Sequence, residues 1–184
     1  MSAIFTLRQW LNMPAESETL MSRYAETGDE KILSLLYDRC AGDLYHFLLV
    51  MSDEETAREM AQRTWLKLIE RRHTYRPSGR FEAWLFTLGR NILIDDIRKN
   101  ARWEQAEDIE SLEATILPEN KLTEALPVAL ARLPFAQREA FCLHQEGFGI
   151  QEIANMCHEN PETIKSRIRY ARQQLQKFLE ASHD

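Results

Sequence analysis

Apolar residues recur every three or four positions along nearly the whole of this chain, and no stretch sustains the alternation of a half-buried strand. Leu20 and Tyr24, then Ile32, Leu35, Leu36, Leu44, Phe47 and Leu48, mark the first stripes. Met60, Ala61, Trp65, Leu66 and Ile69 mark another, and Phe81, Trp84, Leu85, Leu88 and Ile92 a further one. Glycine and proline, six of each, are too few for a β-rich fold full of tight turns. They stand at the joints instead: Gly28-Asp29, Pro77-Ser78-Gly79, Pro134, Gly147-Phe148-Gly149 and Asn160-Pro161, with Ala41-Gly42 a weaker break. The pattern predicts an all-α chain.

Its most specific element lies at Asn160. An asparagine side chain satisfies free amides of a first helical turn, and Pro161 fits the first helical position, where its missing N–H costs nothing. Lys165, Arg169 and Arg172 then recur at helical spacing on one face, with Ile164, Ile168 and Ala171 on another. A short apolar-periodic segment, Ile150 to Ala154, precedes them across a few turn residues. A basic amphipathic helix alone reads as a solvated face. Short helix, tight turn and capped basic helix together have the layout of a helix-turn-helix DNA reader.

A net charge of −6 looks wrong for such a protein until it is mapped along the chain. Residues 64–102 carry nine Lys/Arg against four acids and 161–178 five against one, whereas 103–124 carry one lysine against seven acids. Phosphate contacts depend on local potential, screened within about 10 Å, so two basic islands flanking an acidic belt suit a nucleic acid. The expected organisation is an N-terminal tail (1–17), a helical domain (18–102), a flexible acidic linker (103–121) and a second helical domain (122–184). No apolar run reaches membrane-spanning length and the first residues lack signal-peptide character, so a cytoplasmic protein without membrane insertion is expected. Cys40, Cys142 and Cys157 have no zinc-motif spacing and read as buried thiols, with no metal or cofactor implied. No nucleophile–base pair and no phosphate-cradling glycine loop is present, so no enzyme is expected.

The segment Thr74 to Lys99 interleaves aromatic and cationic residues, the combination that holds unpaired bases and follows their backbone. Stacking contributes about 1–3 kcal/mol per base, enough for a few bases to offset local strand opening. Phe81, Trp84 and Leu88 read as core, while Phe86 and Asn91 lie off that stripe and are the better candidates for meeting DNA.

Here the residues carry a resemblance. Phe81-x-x-Trp84-Leu85, Arg90-Asn91 and Ile94-Asp95 closely resemble the promoter-melting domain of bacterial sigma factors. Leu130-x-x-Leu133-Pro134-x-x-x-Arg138-Glu139, Ile153-Ala154 and Thr163 to Arg167 resemble their carboxy-terminal domain. Only these two domains are present, the pattern of the small extracytoplasmic-function (ECF) sigma factors. The resemblance implies a transcription initiation factor that joins core RNA polymerase and directs it to promoter DNA. Its second domain would contact the melted −10 element with Tyr75, Arg76, Arg80, Phe86, Arg90, Asn91, Arg98 and Lys99. Its fourth would contact the −35 element with Lys165, Ser166, Arg169 and Tyr170, Arg167 and Arg172 holding phosphates or the helix itself. The polymerase clamp would be gripped by a helix over 53–71 through Glu55, Glu59, Gln62 and Trp65. By analogy with the family, an anti-sigma factor is a further expected partner, and the acidic linker is expected to lie in the basic channel meant for RNA.

The chain departs from the family in two places. Arg63 follows Gln62 where an acidic residue is common, and His158 stands in the second domain's turn where glycine is common. A stand-alone helix-turn-helix regulator is the alternative reading, but it has no use for the aromatic–basic segment. A helical adaptor that does not bind DNA is another, and it has no use for Lys165 or Arg169.

Overall fold

The computed structural model describes residues 14–77, 80–104 and 125–181. Among them the regular structure is helical throughout. Helices α1 (Pro14–Thr27), α2 (Glu30–Met51), α3 (Glu54–Arg71) and α4 (Phe81–Glu104) build the first domain, with a 3₁₀ turn at Arg72–Thr74. Helices α5 (Ala125–Ala131), α6 (Phe135–Gln145), α7 (Ile150–Cys157) and α8 (Pro161–Ala181) build the second.

Each joint has a local cause. Gly28 follows α1 at φ +66°, a left-handed position that glycine takes without penalty. Asp29 Oδ1 then accepts the Lys31 amide at 2.8 Å to start α2. Asp53 starts α3 in the same way, accepting the Thr56 amide at 2.9 Å and the Thr56 hydroxyl at 2.7 Å. Burial alone would raise the Asp53 carboxyl pKa, but these hydrogen bonds outweigh it and hold the group below its ordinary value. The weak break expected at Ala41-Gly42 does not form: α2 runs through it, held on either side by buried Cys40 and Leu44.

Helix α1 begins at Pro14, inside the stretch expected as tail, and buried Ser17 belongs to it. Helix α4 likewise continues to Glu104, into the expected linker. The rest of that linker, the expected restart near Leu122, Ser78-Gly79 and the remainder of the tail lie outside the described residues.

Met21, Leu36, Leu44, Leu48, Met60, Leu68, Phe81 and Leu85 fill the first domain. Gly89 lets α4 come close: a Cβ there would sit 2.9 Å from Leu44 Cδ1 and 3.2 Å from Thr64 Oγ1. The apolar stripes prove wider than the faces they bury. Leu35, Leu66 and Ile69, expected within them, are exposed, because α2 and α3 bury their opposite flanks against each other and α4. In the second domain Leu143, Ile153, Ile164 and Ile168 form the centre. Ala129, Leu133, Ala171 and Leu175 tie α5 to the later turns of α8.

The two domains are pressed together. Helix α2 packs on α5 and α6, α4 packs on α7, and a single apolar cluster runs from Phe47 and Phe86 into Phe148.

Candidate nucleic-acid interface

The helix-turn-helix is built as the residues require. Helix α7 ends at His158, whose φ of 56° and ψ of 41° are left-handed. The Glu159 amide reaches back to the Ala154 carbonyl at 2.9 Å, closing a Schellman turn. Asn160 Oδ1 accepts the Glu162 amide at 2.8 Å and the Thr163 amide at 3.4 Å, starting α8 beside Pro161. Glu159 receives Arg167 Nη2 at 2.7 Å.

Ile164, Ile168 and Ala171 are buried, which turns Lys165, Arg169 and Arg172 outward. These three line a groove of about 340 Å³ with His144, Ile150, Ile168, Gln173 and Gln176. Tyr170 is 48% exposed, and the Arg169 guanidinium lies 5.0 Å from its ring centre. Ser166 and Arg167 are half-buried. Gln173 and Gln176 continue the spacing of the basic residues and were legible in the sequence; His144 belongs to α6 and reaches the groove only through packing.

On α4 the expected contacts divide. Asn91, Arg98 and Lys99 are exposed, as is Arg76 in the preceding segment. Two expectations are corrected. Phe86 does not face outward: it is 3% exposed, with ring centres 5.5 Å from Phe47 and 5.1 Å from Phe148. Tyr75 is also buried, edge-on to Trp84 at 5.1 Å, and its hydroxyl donates to Glu18 Oε2 at 2.8 Å. Burial, then that carboxylate, push the phenol pKa above its ordinary value.

The remaining two cations of this group meet the other domain. Arg90 Nε donates to Glu139 Oε1 at 2.7 Å and its Nη2 to Oε2 at 3.3 Å. Burial would lower the guanidinium pKa; the Glu139 charge overrides it and raises it. The Cys157 thiol also donates to Glu139 Oε2, at 3.3 Å. Arg80 Nη1 donates to the Gly147 carbonyl at 3.0 Å, and its guanidinium stands 4.7 Å from the Phe148 ring centre. Between the domains lies a cleft of about 500 Å³, whose walls include Arg90, Asn91 and Arg98 on one side and Phe135, His158 and Arg167 on the other.

Helix α3 presents Glu55, Glu59 and Gln62 to solvent, with exposed Leu66 and Ile69 farther along. Trp65, expected beside them, is corrected: it is 7% exposed and packs 5.0 Å from the Tyr37 ring. Arg63, where the family favours an acid, reaches Asp96 of α4 at 3.3 Å and Glu59 at 3.7 Å, so its charge is engaged locally. The three cysteines are buried thiols, and no metal-holding group of His, Cys, Asp and Glu occurs among the described residues. None of the described helices is long and apolar enough to cross a membrane.

Comparison with known proteins agrees with this layout. Sigma-70 region 2 matches residues 36–103, and Sigma-70, region 4 matches residues 123–175. The ECF RNA polymerase sigma factor EcfG of Rhodopseudomonas palustris is 33% identical over 68% of this chain and 72% of its own length. The ECF RNA polymerase sigma factor RpoE of Cereibacter sphaeroides is 31% identical over 87% of this chain and 93% of its own. Among solved structures, the sigma factor RpoE of Bartonella quintana, crystallised with the anti-sigma factor NepR, superposes with a TM-score of 0.69 at 28% identity. That match covers 82% of this chain and 98% of that one. With both sigma regions in order and relatives matched across most of their length, this chain belongs to the ECF RNA polymerase sigma factors.

Proposed function

We propose a division of labour within this sigma factor, which directs RNA polymerase to promoters. Helix α8 reads duplex −35 DNA with Lys165, Arg169 and Tyr170, while Ser166, Arg167 and Arg172 settle it on the backbone. The outer face of α4 with its preceding segment (Arg76, Arg80, Arg90, Asn91, Arg98 and Lys99) engages the melted −10 strand. Phe86 and Tyr75 support that face from beneath rather than touching bases. Core polymerase docks on α3 through Glu55, Glu59 and Gln62, joined by exposed Leu66 and Ile69. The chain acts without catalysis of its own, in the cytoplasm where polymerase works, and an anti-sigma partner covers these surfaces, as NepR accompanies the Bartonella relative.

One observation carries the reading: the chain has two separate cationic surfaces on different helices, one a capped recognition helix and the other a cation-lined face. A duplex reader needs only the first. A factor that also holds an opened strand needs both.

The test is transcription in vitro with purified core polymerase and a promoter library. The chain is expected to join core and select a −35/−10 pair. Asn91→Ala is expected to impair opening while leaving −35 binding intact, and Arg169→Ala to do the reverse. A chain that neither joins core nor selects promoters overturns the reading.

A further inference from the structure

His144 stands apart from the other polar residues of the α8 groove. It comes from the last turn of α6, yet it lines the same groove of about 340 Å³ as Lys165, Arg169 and Arg172. Among the described residues no acidic side chain lines that groove. In a helix-turn-helix the elements ahead of the reader cross the DNA backbone while the reader enters the groove. His144 lies just before α7, where such a crossing falls.

The ring is held by a contact that fixes its chemistry. Its Nδ1 lies 3.4 Å from the Phe148 carbonyl, in the turn between α6 and α7. A carbonyl only accepts, so Nδ1 carries the hydrogen. In the neutral ring Nε2 is then an acceptor, and only in the imidazolium is it a donor. Nε2 has no protein partner among the described residues and is not sealed from solvent. A phosphate oxygen, like the carbonyl, only accepts. It can therefore meet Nε2 only when the ring has taken a second proton from solvent.

The acids on the surrounding elements are turned elsewhere. Glu146 is desolvated against Asp43 of α2. Glu152 of α7 accepts the Gly149 amide at 2.8 Å and lies 3.8 Å from Arg80 of α4. Glu162 of α8 pairs with Lys165 at 2.7 Å. Lys165, Arg169 and Arg172 share the groove with the ring as cations.

We propose that His144 is a phosphate contact of the −35 duplex, made as the imidazolium, so that promoter binding by this chain takes up a proton. The titrating step is the contact with DNA, not the exposure of α8. The inference rests on the reading that α8 enters duplex −35 DNA.

The test uses the holoenzyme, the full chain on core polymerase, and duplexes that join a −35 element to an already opened −10 segment. Affinity of the unaltered chain is expected to be about fivefold tighter at about pH 6 than at about pH 8, as one charge-assisted contact is gained. The salt dependence at the lower pH should be steeper by about one counterion. His144→Asn places an amide where it can keep the Phe148 bond but carries no charge. It is expected to bind at the weaker level at both pH values, with one salt slope. His144→Lys, charged throughout, is expected to bind at the tighter level at both. All three chains should rank −35 sequences alike, because a phosphate contact carries no base information. A wild-type pH response in His144→Asn would overturn the inference, as would His144→Lys binding no better than His144→Asn. A changed ranking of −35 sequences would make His144 a base reader and overturn the phosphate contact. Arg169→Ala run alongside separates the two failures. If it leaves −35 discrimination intact, the reading of α8 falls and this inference with it; if it relaxes discrimination while the His144 variants change nothing, only the inference falls.

Discussion

Helices α8 and α4 both carry cations at helical spacing, yet they meet their surroundings differently. The three basic residues of the α8 groove are exposed, and Lys165 pairs with Glu162 of its own helix, at 2.7 Å. On α4 and the residue before it, Arg90 and Arg80 are held by another domain, and Phe86 is packed beneath Phe148. On the proposed division of labour, the contrast follows from what each holds. A recognition helix entering a duplex groove needs a rigid convex face, which an N-cap and a tight turn supply locally. A surface for an opened strand combines apolar rings and cations, and such a surface left bare is attractive to any apolar partner, including the rest of its own chain.

The largest effect that can break this contrast comes from Phe86→Ala. As a ring buried between Phe47 and Phe148, Phe86 should cost about 3–5 kcal/mol of stability when truncated, read from urea unfolding. A change within about 0.5 kcal/mol would mean the ring is a surface group after all, and that α4 is as open as α8.

Arg169→Ala probes the other side. This side chain is exposed and lies over the neighbouring Tyr170 ring, so stability should shift by less than about 0.5 kcal/mol. Promoter discrimination at one −35 base pair should fall by about 1–3 kcal/mol, measured by competition among promoter variants bound to the holoenzyme. Arg172→Ala, an exposed residue assigned to the backbone, should instead weaken all promoters together and reduce the salt dependence by about one counterion. A large loss of stability from either variant would show that α8, too, uses its cations to hold the fold.

These two helices also show what was legible in the sequence. The joints at Gly28 and Asn160 were readable because glycine's φ and a side chain's bond to a nearby amide are local matters. The outward face of α8 was readable for the same reason: it is exposed by burying Ile164 and Ile168 a few residues away. The fates of Phe86, Tyr75 and Trp65 were not. Phe86 lies off its helix's stripe, Tyr75 lies outside any α-helix, and Trp65 stands in a stripe whose neighbours Leu66 and Ile69 are exposed; the burial of each is completed by Phe148, Glu18 or Tyr37, residues distant in the chain that no helical period reveals. The exposure of Leu66 and Ile69 escaped periodicity in the opposite sense, since an exposed apolar face and a core face repeat with the same period.

Closure over α4 should also respond to pH, whereas the presentation of α8 should not. Burial first, and the charge of Asp43 second, raise the Glu146 carboxyl to about 7 from an ordinary 4.5. Below the open form's value, which lies between the two, the group is protonated in both open and closed forms and contributes nothing. From there to about 7 the closed form holds a proton that the open form releases, so closure weakens as pH rises; above about 7 the penalty is constant. Asp43 belongs to the other domain, so only part of the shift disappears on opening. If that part is about one unit, the effect is about 1.4 kcal/mol across the window. Distances between spin labels at Arg58→Cys on α3 and Gln174→Cys on α8, both exposed positions, should lengthen from acid to neutral pH, and Glu146→Gln should flatten the response. An unchanged slope in that variant would assign the pH dependence to another group.

The smallest effect tests whether the turn before α8 is tuned for function or merely tolerated. His158 sits at φ 56°, where a side chain costs about 1–2 kcal/mol in a regular left-handed helix and less for a single tolerated residue. Replacing it by glycine removes that cost but adds freedom to the unfolded chain worth about 0.4–1 kcal/mol. The two nearly cancel, leaving a net gain of roughly 0.5 kcal/mol at most. The Schellman bond from the Glu159 amide to Ala154 does not involve the imidazole, so α8 should keep its direction and its promoter preference. The imidazole does line the interdomain cleft opposite Asn91. Unfolding curves and promoter competition for His158→Gly should therefore move slightly or not at all. A marked change in promoter opening, with stability unmoved, would place His158 among the groups that act on the α4 face and not on the recognition helix it precedes.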